Sequence, residues 1–369
     1  MQVGDLNQGA PELRQNSQYN LDNAYFLQHY QSGSDTFVVL VDTVPGACFS
    51  IHTLSVLDDL GWRLEQLPQV QSAYSSASFS KMMTKFDTED SPKWGALVNQ
   101  GSIDDFSQFI PFSLVDQSCS FMPIYVSLTD HKSTTLDTVV KAVQSFAADP
   151  VNQGADFKIS LAGGNAGIAA ATNIVIKNAN RQMLYLVYAA VIIFCFITFR
   201  SWRAVLCAVL PLILTSILSQ ALMVWLGIGI KVATLPVIAL GVGIGVDYAL
   251  YVLSITLKQL RDGATLSHAY YRTLLFTGKV VLLTGFTLAA GVAIWVLAPI
   301  KFQADMGLLL SFMFIWNMLG ALILLPALAC FLLPERLFTQ QAKPVGAGPS
   351  LAPKQDVYHR IVTEIQTLP

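Results

Sequence analysis

The chain has 369 residues, 53% of them hydrophobic and only 12% charged, with a mean hydropathy of +0.51. Soluble domains carry about 25% charged residues, so the deficit points to lipid as part of the solvent, and no nucleic-acid partner is expected. The charge is unevenly spread: residues 1–181 hold 10 Lys and Arg against 18 Asp and Glu, whereas residues 182–369 hold 12 against 6. Two regions in two solvents is the natural reading.

The acidic half comes first. Its N-terminus, MQVGDLNQGAPELRQ, lacks the apolar stretch of a signal peptide. A domain that has to reach the far side of a membrane is then expected to follow another membrane helix, as a piece of something longer. Thr36–Val41 (TFVVLV) is β-branched and apolar, and Ile51–Leu64 repeats apolar residues at Ile51, Leu54, Leu57, Leu60 and Leu64 with a helical period. Val70–Ser75 is a second candidate strand. The order recurs as Phe121–Leu128, a helix over Thr135–Ala148, and Phe157–Ala162. Two β-α-β units side by side describe a split βαβ, ferredoxin-like sandwich.

Between the units runs an irregular stretch from Trp94 to Phe112. Its Trp94, Phe106, Phe109 and Phe112 either cover the core or line an apolar substrate path. Cys48 and Cys119 also fall in this half, and an oxidising compartment would allow them to pair, although connectivity cannot be read from sequence. Cys195, Cys207 and Cys330 lie in apolar runs and read as small hydrophobes. His29, His52, His131, His268 and His359 are scattered, no cysteine or histidine spacing suits zinc, and no nucleophile–base arrangement stands out. No metal, no cofactor and no enzymatic chemistry are expected. The run Gly163-Gly164-Asn165-Ala166-Gly167 lacks the Gly-Lys-Ser/Thr ending of a phosphate loop. It reads as a tight turn feeding the first membrane helix.

Five runs in the second half approach the roughly 20 apolar residues a bilayer requires: Met183–Phe199, Ala204–Ile230, Val232–Leu257, Val280–Ile300 and Met306–Pro334. Lipid offers the backbone no water, so each is expected to be helical, with Pro211, Pro236 and Pro326 marking kinks. Alternate gaps and the tail carry Arg200, Arg203, Lys258, Arg261, Arg272, Lys279, Arg336, Lys343, Lys354 and Arg360, against Lys231 and Lys301 in the others. The positive-inside rule then places the tail in the cytoplasm and the acidic domain outside. Trp225 and Trp295 suit an outer aromatic belt. The expected division is an extracytoplasmic domain at 1–181, five spans within 182–334, and a cytoplasmic tail at 335–369, flexible from Ala342 to Pro353.

The sharpest local signal is Gly241-Val-Gly243-Ile-Gly245-Val-Asp247-Tyr248 in the third span. Asp247 is the sole charge between Val232 and Leu257 and falls close to mid-bilayer, where acids usually face a bundle interior and act. Gly241 and Gly245 would let a neighbouring helix approach, Gly243 lies one turn before the acid, and Thr284 and Thr287 of the next helix are candidate hydrogen-bond donors to it. A structural acid and a proton or ion relay are both open readings. An aspartyl protease would need a second carboxyl, and Asp305, its one candidate, sits at the edge of its helix.

The order of an outer βαβ domain, five helices and G-x-G-x-G-x-D-Y resembles the C-terminal half of resistance-nodulation-division (RND) transporters, in particular their MMPL-like hydrophobe-exporter branch. GAPELRQNSQYNLDNAY, GGNAGIAAATN and LLTGFTLAAG are further resembling stretches. The resemblance implies an α+β membrane protein, with a ferredoxin-like porter domain followed by a five-helix bundle in the inner (plasma) membrane. It implies export of lipids or other hydrophobic or amphiphilic cargo by proton antiport, with Asp247 and Tyr248 as the relay. The partners implied are membrane lipid, the cargo, and a first half or another copy of the chain. A non-transporting scaffold or sterol-sensing-like module, with Asp247 structural, is the alternative.

Overall fold

The computed structural model describes residues 3–7, 9–30, 35–87, 100–152 and 157–332. Trp94 and the tail lie outside the described residues.

Helix α1 (Gln18–His29) precedes strand β1 (Asp35–Thr43), helix α2 (Ile51–Glu65) and strand β2 (Val70–Tyr74). After α3 (Ser76–Asp87) and α4 (Gln100–Ser107) come β3 (Phe121–Leu128), α5 (Ser133–Ala148) and β4 (Phe157–Gly163). The sheet order is β2-β3-β1-β4, with every neighbouring pair antiparallel. β1 and β2 therefore run parallel with β3 inserted between them, which is the split βαβ arrangement. Side chains alternate faces along a strand, so Phe37, Val39 and Val41 share one side with Met122, Ile124, Val126 and Leu128 of β3. Leu54, Leu57, Leu60 and Leu64 of α2 and Leu136, Val139 and Val143 of α5 pack into the same core, and none of these residues is more than 1% exposed. Ser50 caps α2 by accepting from the Thr53 amide at 3.2 Å. The stretch read as irregular contains α4, whose QGSIDDFS buries Ile103, 3% exposed. Too few apolar positions repeat there for a period to be visible.

The first membrane helix is longer than its apolar run. α6 covers Gly164–Phe199, 36 residues and therefore roughly 54 Å. Its first turns bury Ala166 and Ala170 in the sheet domain, while Ile176 and Val191 belong to the bundle core. Lys177 and Arg181 lower the hydropathy without breaking the helix. Gly164 turns the chain from β4 into α6 at φ +71°, a left-handed conformation that favours glycine.

The remaining spans are α7 (Trp202–Trp225), α8 (Leu235–Arg261), α9 (Leu266–Thr273) leading into α10 (Lys279–Ala293), and α11 (Lys301–Leu319) leading into α12 (Leu325–Leu332). With α6 they make five helices long and apolar enough to cross a membrane. A π-type turn joins α9 to α10 at Leu274–Gly278, and another joins α11 to α12 at Gly320–Leu324. Pro211 stands inside α7, but Pro236 is no kink. It occupies the first turn of α8, where an N–H has no intrahelical acceptor in any case. Pro326 lies just after the second π-turn, where the hydrogen-bond ladder is already irregular.

Residues 3–7 and 9–14 tie the sheet domain to one end of the bundle. The Gly4 amide donates to Ile230 O at 2.9 Å, the Ser133 amide to Asp5 O at 3.0 Å, and the Lys301 amide to Glu12 O at 2.8 Å. Asp5 forms an ion pair with Lys231. The Arg14 guanidinium donates to Val296 O at 2.8 Å and Ala298 O at 2.7 Å. The gaps holding Lys231 and Lys301 thus lie at the sheet-domain end, and those rich in arginine and lysine at the other.

Candidate functional site in the third span

Asp247 stands at the midpoint of the 27-residue α8. This helix has two unlike sides. On the packed side, Gly241 and Gly245 are buried against α11. A Cβ on Gly245 would come within 2.5 Å of the Asn317 side chain and 2.7 Å of Leu212, and one on Gly241 would overlap Met313. The Asn317 side-chain amide, 3% exposed, donates to Gly241 O at 2.7 Å. Glycines at these positions let α11 come close enough for that bond. Tyr248 faces the same interior at 3% exposure, and its buried hydroxyl has no partner among the described residues.

On the open side, Leu240, Gly243, Asp247 and Tyr251 form a stripe at helical spacing, all exposed. Nothing lies within 4 Å of where a Gly243 Cβ would be. Among the described residues Asp247 has neither a hydrogen bond nor an ion pair. Asp247 and Tyr248, adjacent in sequence, therefore point to different surroundings. Thr284 and Thr287 are exposed on α10 and do not reach the acid: the Thr287 hydroxyl donates to Leu283 O at 2.9 Å or Thr284 O at 3.1 Å, within its own helix. Asp305 lies in the first turns of α11, at the sheet-domain end and apart from mid-span Asp247.

Asn317 was not singled out from sequence. Its signal was available, an amide alone in an apolar run, because polar side chains inside a span need partners.

In the sheet domain, Cys48 and Cys119 form a disulfide that ties the loop before α2 to the loop before β3. Phe109 and Phe112 are 58% and 85% exposed, while Ile110 and Leu114 cover the core beside them. Phe106 lies on α4. Near the joint to the bundle, buried His131 meets Asp35 at 3.0 Å. Burial works to lower its pKa, but the hydrogen bond to Asp35 and the charges of Asp35, Asp5 and Asp130 outweigh it, so the imidazole lies above its ordinary value. Burial works to raise Asp130, but donation from the Thr135 hydroxyl at 2.6 Å and the Lys132 amide at 3.1 Å, with the Lys132 charge, leaves it lowered. The Ser118 hydroxyl, foremost, and the Ser120 and Phe121 amides hold Asp116 below the usual carboxylate range.

A split βαβ domain carried on five apolar helices, one with a mid-span acid on an open face, defines an α+β multi-span membrane protein. The MMPL family profile matches residues 115–369, and the chain belongs to the MMPL family. A Streptomyces coelicolor chain named as a membrane protein is 38% identical over 89 residues, 24% of this chain and 13% of its own length. A Methanocaldococcus jannaschii chain so named is 28% identical over 138 residues, 37% of this chain and 36% of its own. In fold the chain is similar to the hedgehog release protein Disp of the water bear Hypsibius dujardini. The TM-score is 0.51 at 15% identity, over 90% of this chain and 45% of that one. The aligned region is thus less than half the length of each of these relatives.

Proposed function

We propose that this region works as the C-terminal half of a proton-driven exporter of lipids or other hydrophobic or amphiphilic compounds, with Asp247 as the proton-exchanging group. The observation that carries the reading is Asp247 itself, without a hydrogen bond or ion pair among the described residues and exposed near the middle of an apolar span. A charged acid at the centre of a span costs about 2.5–3.5 kcal/mol even on gentle scales. The open stripe of α8 is therefore a surface to be covered, by a pseudo-equivalent half or by another copy. Gain and loss of a proton at Asp247 would alter how that cover packs. Tyr248 would carry the change inward, where the Gly241–Gly245 seam lets α8 and α11 shift. The unbroken α6 would pass it to the sheet domain.

In the assembled protein, Asp247→Asn should keep the amount and fold of the protein but abolish proton-coupled export of a hydrophobic dye from vesicles. Asn matches the carboxyl in size but cannot cycle a charge. Undiminished export would remove the relay and leave the scaffold reading.

The ten-to-two distribution of basic residues supports an extracytoplasmic sheet domain and a cytoplasmic C-terminus in the plasma membrane. In intact cells an impermeant thiol reagent should label Asp58→Cys and spare Lys354→Cys. The reverse pattern would invert the topology.

A further inference from the structure

The fourth and fifth spans each carry a π-turn, Leu274–Gly278 and Gly320–Leu324, and the two turns meet. A Cβ on Gly278, in the first, would stand 3.7 Å from the Leu322 side chain, in the second. The Tyr270 hydroxyl of α9 donates to Leu322 O, a carbonyl inside the second turn. π-Helical residues are well under 1% of those in globular proteins. They mark places where helices kink and where function often sits. Two such turns in contact, bridged by a tyrosine, read as one feature rather than two.

The packing differs on either side of the pair. Toward the sheet domain, α10 and the turn after it, Ile294–Leu297, are joined to α11 along their length. A Cβ on Gly307 would come within 2.6 Å of the Trp295 Cβ, and one on Gly285 within 2.7 Å of the Met318 sulfur. Between them the Ser311 hydroxyl donates to Ala289 O at 2.7 Å. Toward the remote end each span holds to another helix. The Thr273 hydroxyl of α9 lies 3.2 Å from that of Thr256 on α8, while α12 packs against α7 with Ala329 fully buried. A stiff α10–α11 pair thus hangs from two anchored ends through two irregular turns, each containing a buried glycine, Gly278 or Gly320. Small residues at such places absorb changes in backbone angle. Gly241 and Gly245 lie against Met313 and Asn317, and α8 and α11 both start at the sheet-domain end. One helical turn further on, the second π-turn stands level with Asp247 and Tyr248.

We propose that the paired π-turns are a hinge on which α10 and α11 swing as one unit over α8, with Tyr270 as the positioning residue that fixes the pivot of the fifth span against α9. The hinge supplies the shift of α11 along the Gly241–Gly245 seam, and it rests on the exporter reading only for what that shift is used for. As a property of the backbone it holds whether or not Asp247 exchanges a proton.

The test is hydrogen–deuterium exchange of the full chain in mild detergent, resolved to short peptides by mass spectrometry. In the unaltered chain the amides of the two π-turns should have equal protection, at least about tenfold lower than those in the middles of α10 and α11. Tyr270→Phe should lower protection at both π-turns by at least about threefold and leave the middles of α10 and α11 unchanged. A tyrosine acting only as a strut would loosen its own helix and Leu322 alone. A π-turn holds one residue more than the α-helical turn it replaces, so deleting Ala321 restores a regular helix with its flanks in register. That deletion should raise protection at Leu274–Gly278, in the other span, as well. Unequal protection of the two π-turns, a Tyr270→Phe effect that is absent, confined to one span or spread over the whole bundle, or a folded deletion variant with the fourth span unchanged would each overturn the hinge. If the deletion variant does not fold, the unaltered chain and Tyr270→Phe decide the question alone. The readout is backbone exchange and not transport, so failure of the hinge and failure of the relay are told apart.

Discussion

The sheet domain and the helix bundle use apolar side chains in opposite ways. In the sheet domain the large apolar residues turn inward, and α2 and α5 close over β1 and β3 until Phe37, Leu54 and Ile124 have no exposure. In the bundle, Phe194, Phe286 and Phe331 are 68%, 63% and 85% exposed, because lipid is as apolar as they are. Burial of greasy surface thus drives one region and is nearly neutral in the other. What holds the bundle is close approach at small residues and the few polar contacts that lipid cannot replace. The Asn317 bond to Gly241 O is one, and the Tyr188 hydroxyl with Ser216 at 2.6 Å is another.

This contrast can be broken by experiment. The largest effect is expected in the sheet domain, where Cys48 and Cys119 close a loop with a sequence separation of 71. Replacing both with Ser should lower that domain's stability by about 4 kcal/mol in the chain-entropy account, leaving the thermal transition of the bundle in place. Equal shifts in both transitions, followed by calorimetry with and without reductant, would mean that the two regions unfold as one.

Next comes the glycine seam. Gly245→Val should destabilise the bundle by about 1–3 kcal/mol, since the added atoms meet Asn317 and Leu212. Gly243→Ala has open space and should stabilise the isolated chain by up to about 1 kcal/mol through helix propensity. If the assembled protein loses activity with Gly243→Ala while the isolated chain gains stability, a partner surface covers that stripe. Denaturation in detergent alongside transport in vesicles separates the two outcomes.

The smallest effect is expected at the joint between the regions. His131 titrates above its ordinary value of 6.5, facing Asp35 of β1, Asp5 of the N-terminal segment and Asp130 of its own loop. A raised folded value means that its contribution is fully present below pH 6.5 and is lost as pH rises through the raised value. The contribution should be on the order of 1 kcal/mol, as for a typical hydrogen bond. The sheet domain's melting temperature should therefore fall over that window in the unaltered chain and stay flat in His131→Gln. The same slope in both would acquit His131.

Legibility in the sequence followed the same division. The β-branched run from Thr36 and the leucine period from Ile51 were readable because sheet and helix cores impose periods of 2 and 3.6 on apolar residues. α4 was not readable, since Ile103 and Phe106 are too few apolar positions to show a period. The start of α6 was legible in the glycine turn at Gly163–Gly167 but not in hydropathy, which sees lipid and not a helix that continues into water. At the candidate site the text of α8 announced an acid among glycines. It could not say that Gly241 and Gly245 face α11 while Gly243 faces outward, because all three are glycines.

The sequence by itself determined the split βαβ order, five spans and an isolated mid-span acid, since each is written in the local succession of apolar, charged and small residues. The sides of each helix were decided by tertiary structure. Asp247 on the open stripe and Tyr248 in the core are one residue apart, and only the packing of α11 against Gly241 and Gly245 fixes the rotation of α8 that separates them. A helix in lipid has no polar face to turn toward water, so its orientation is settled by its neighbours.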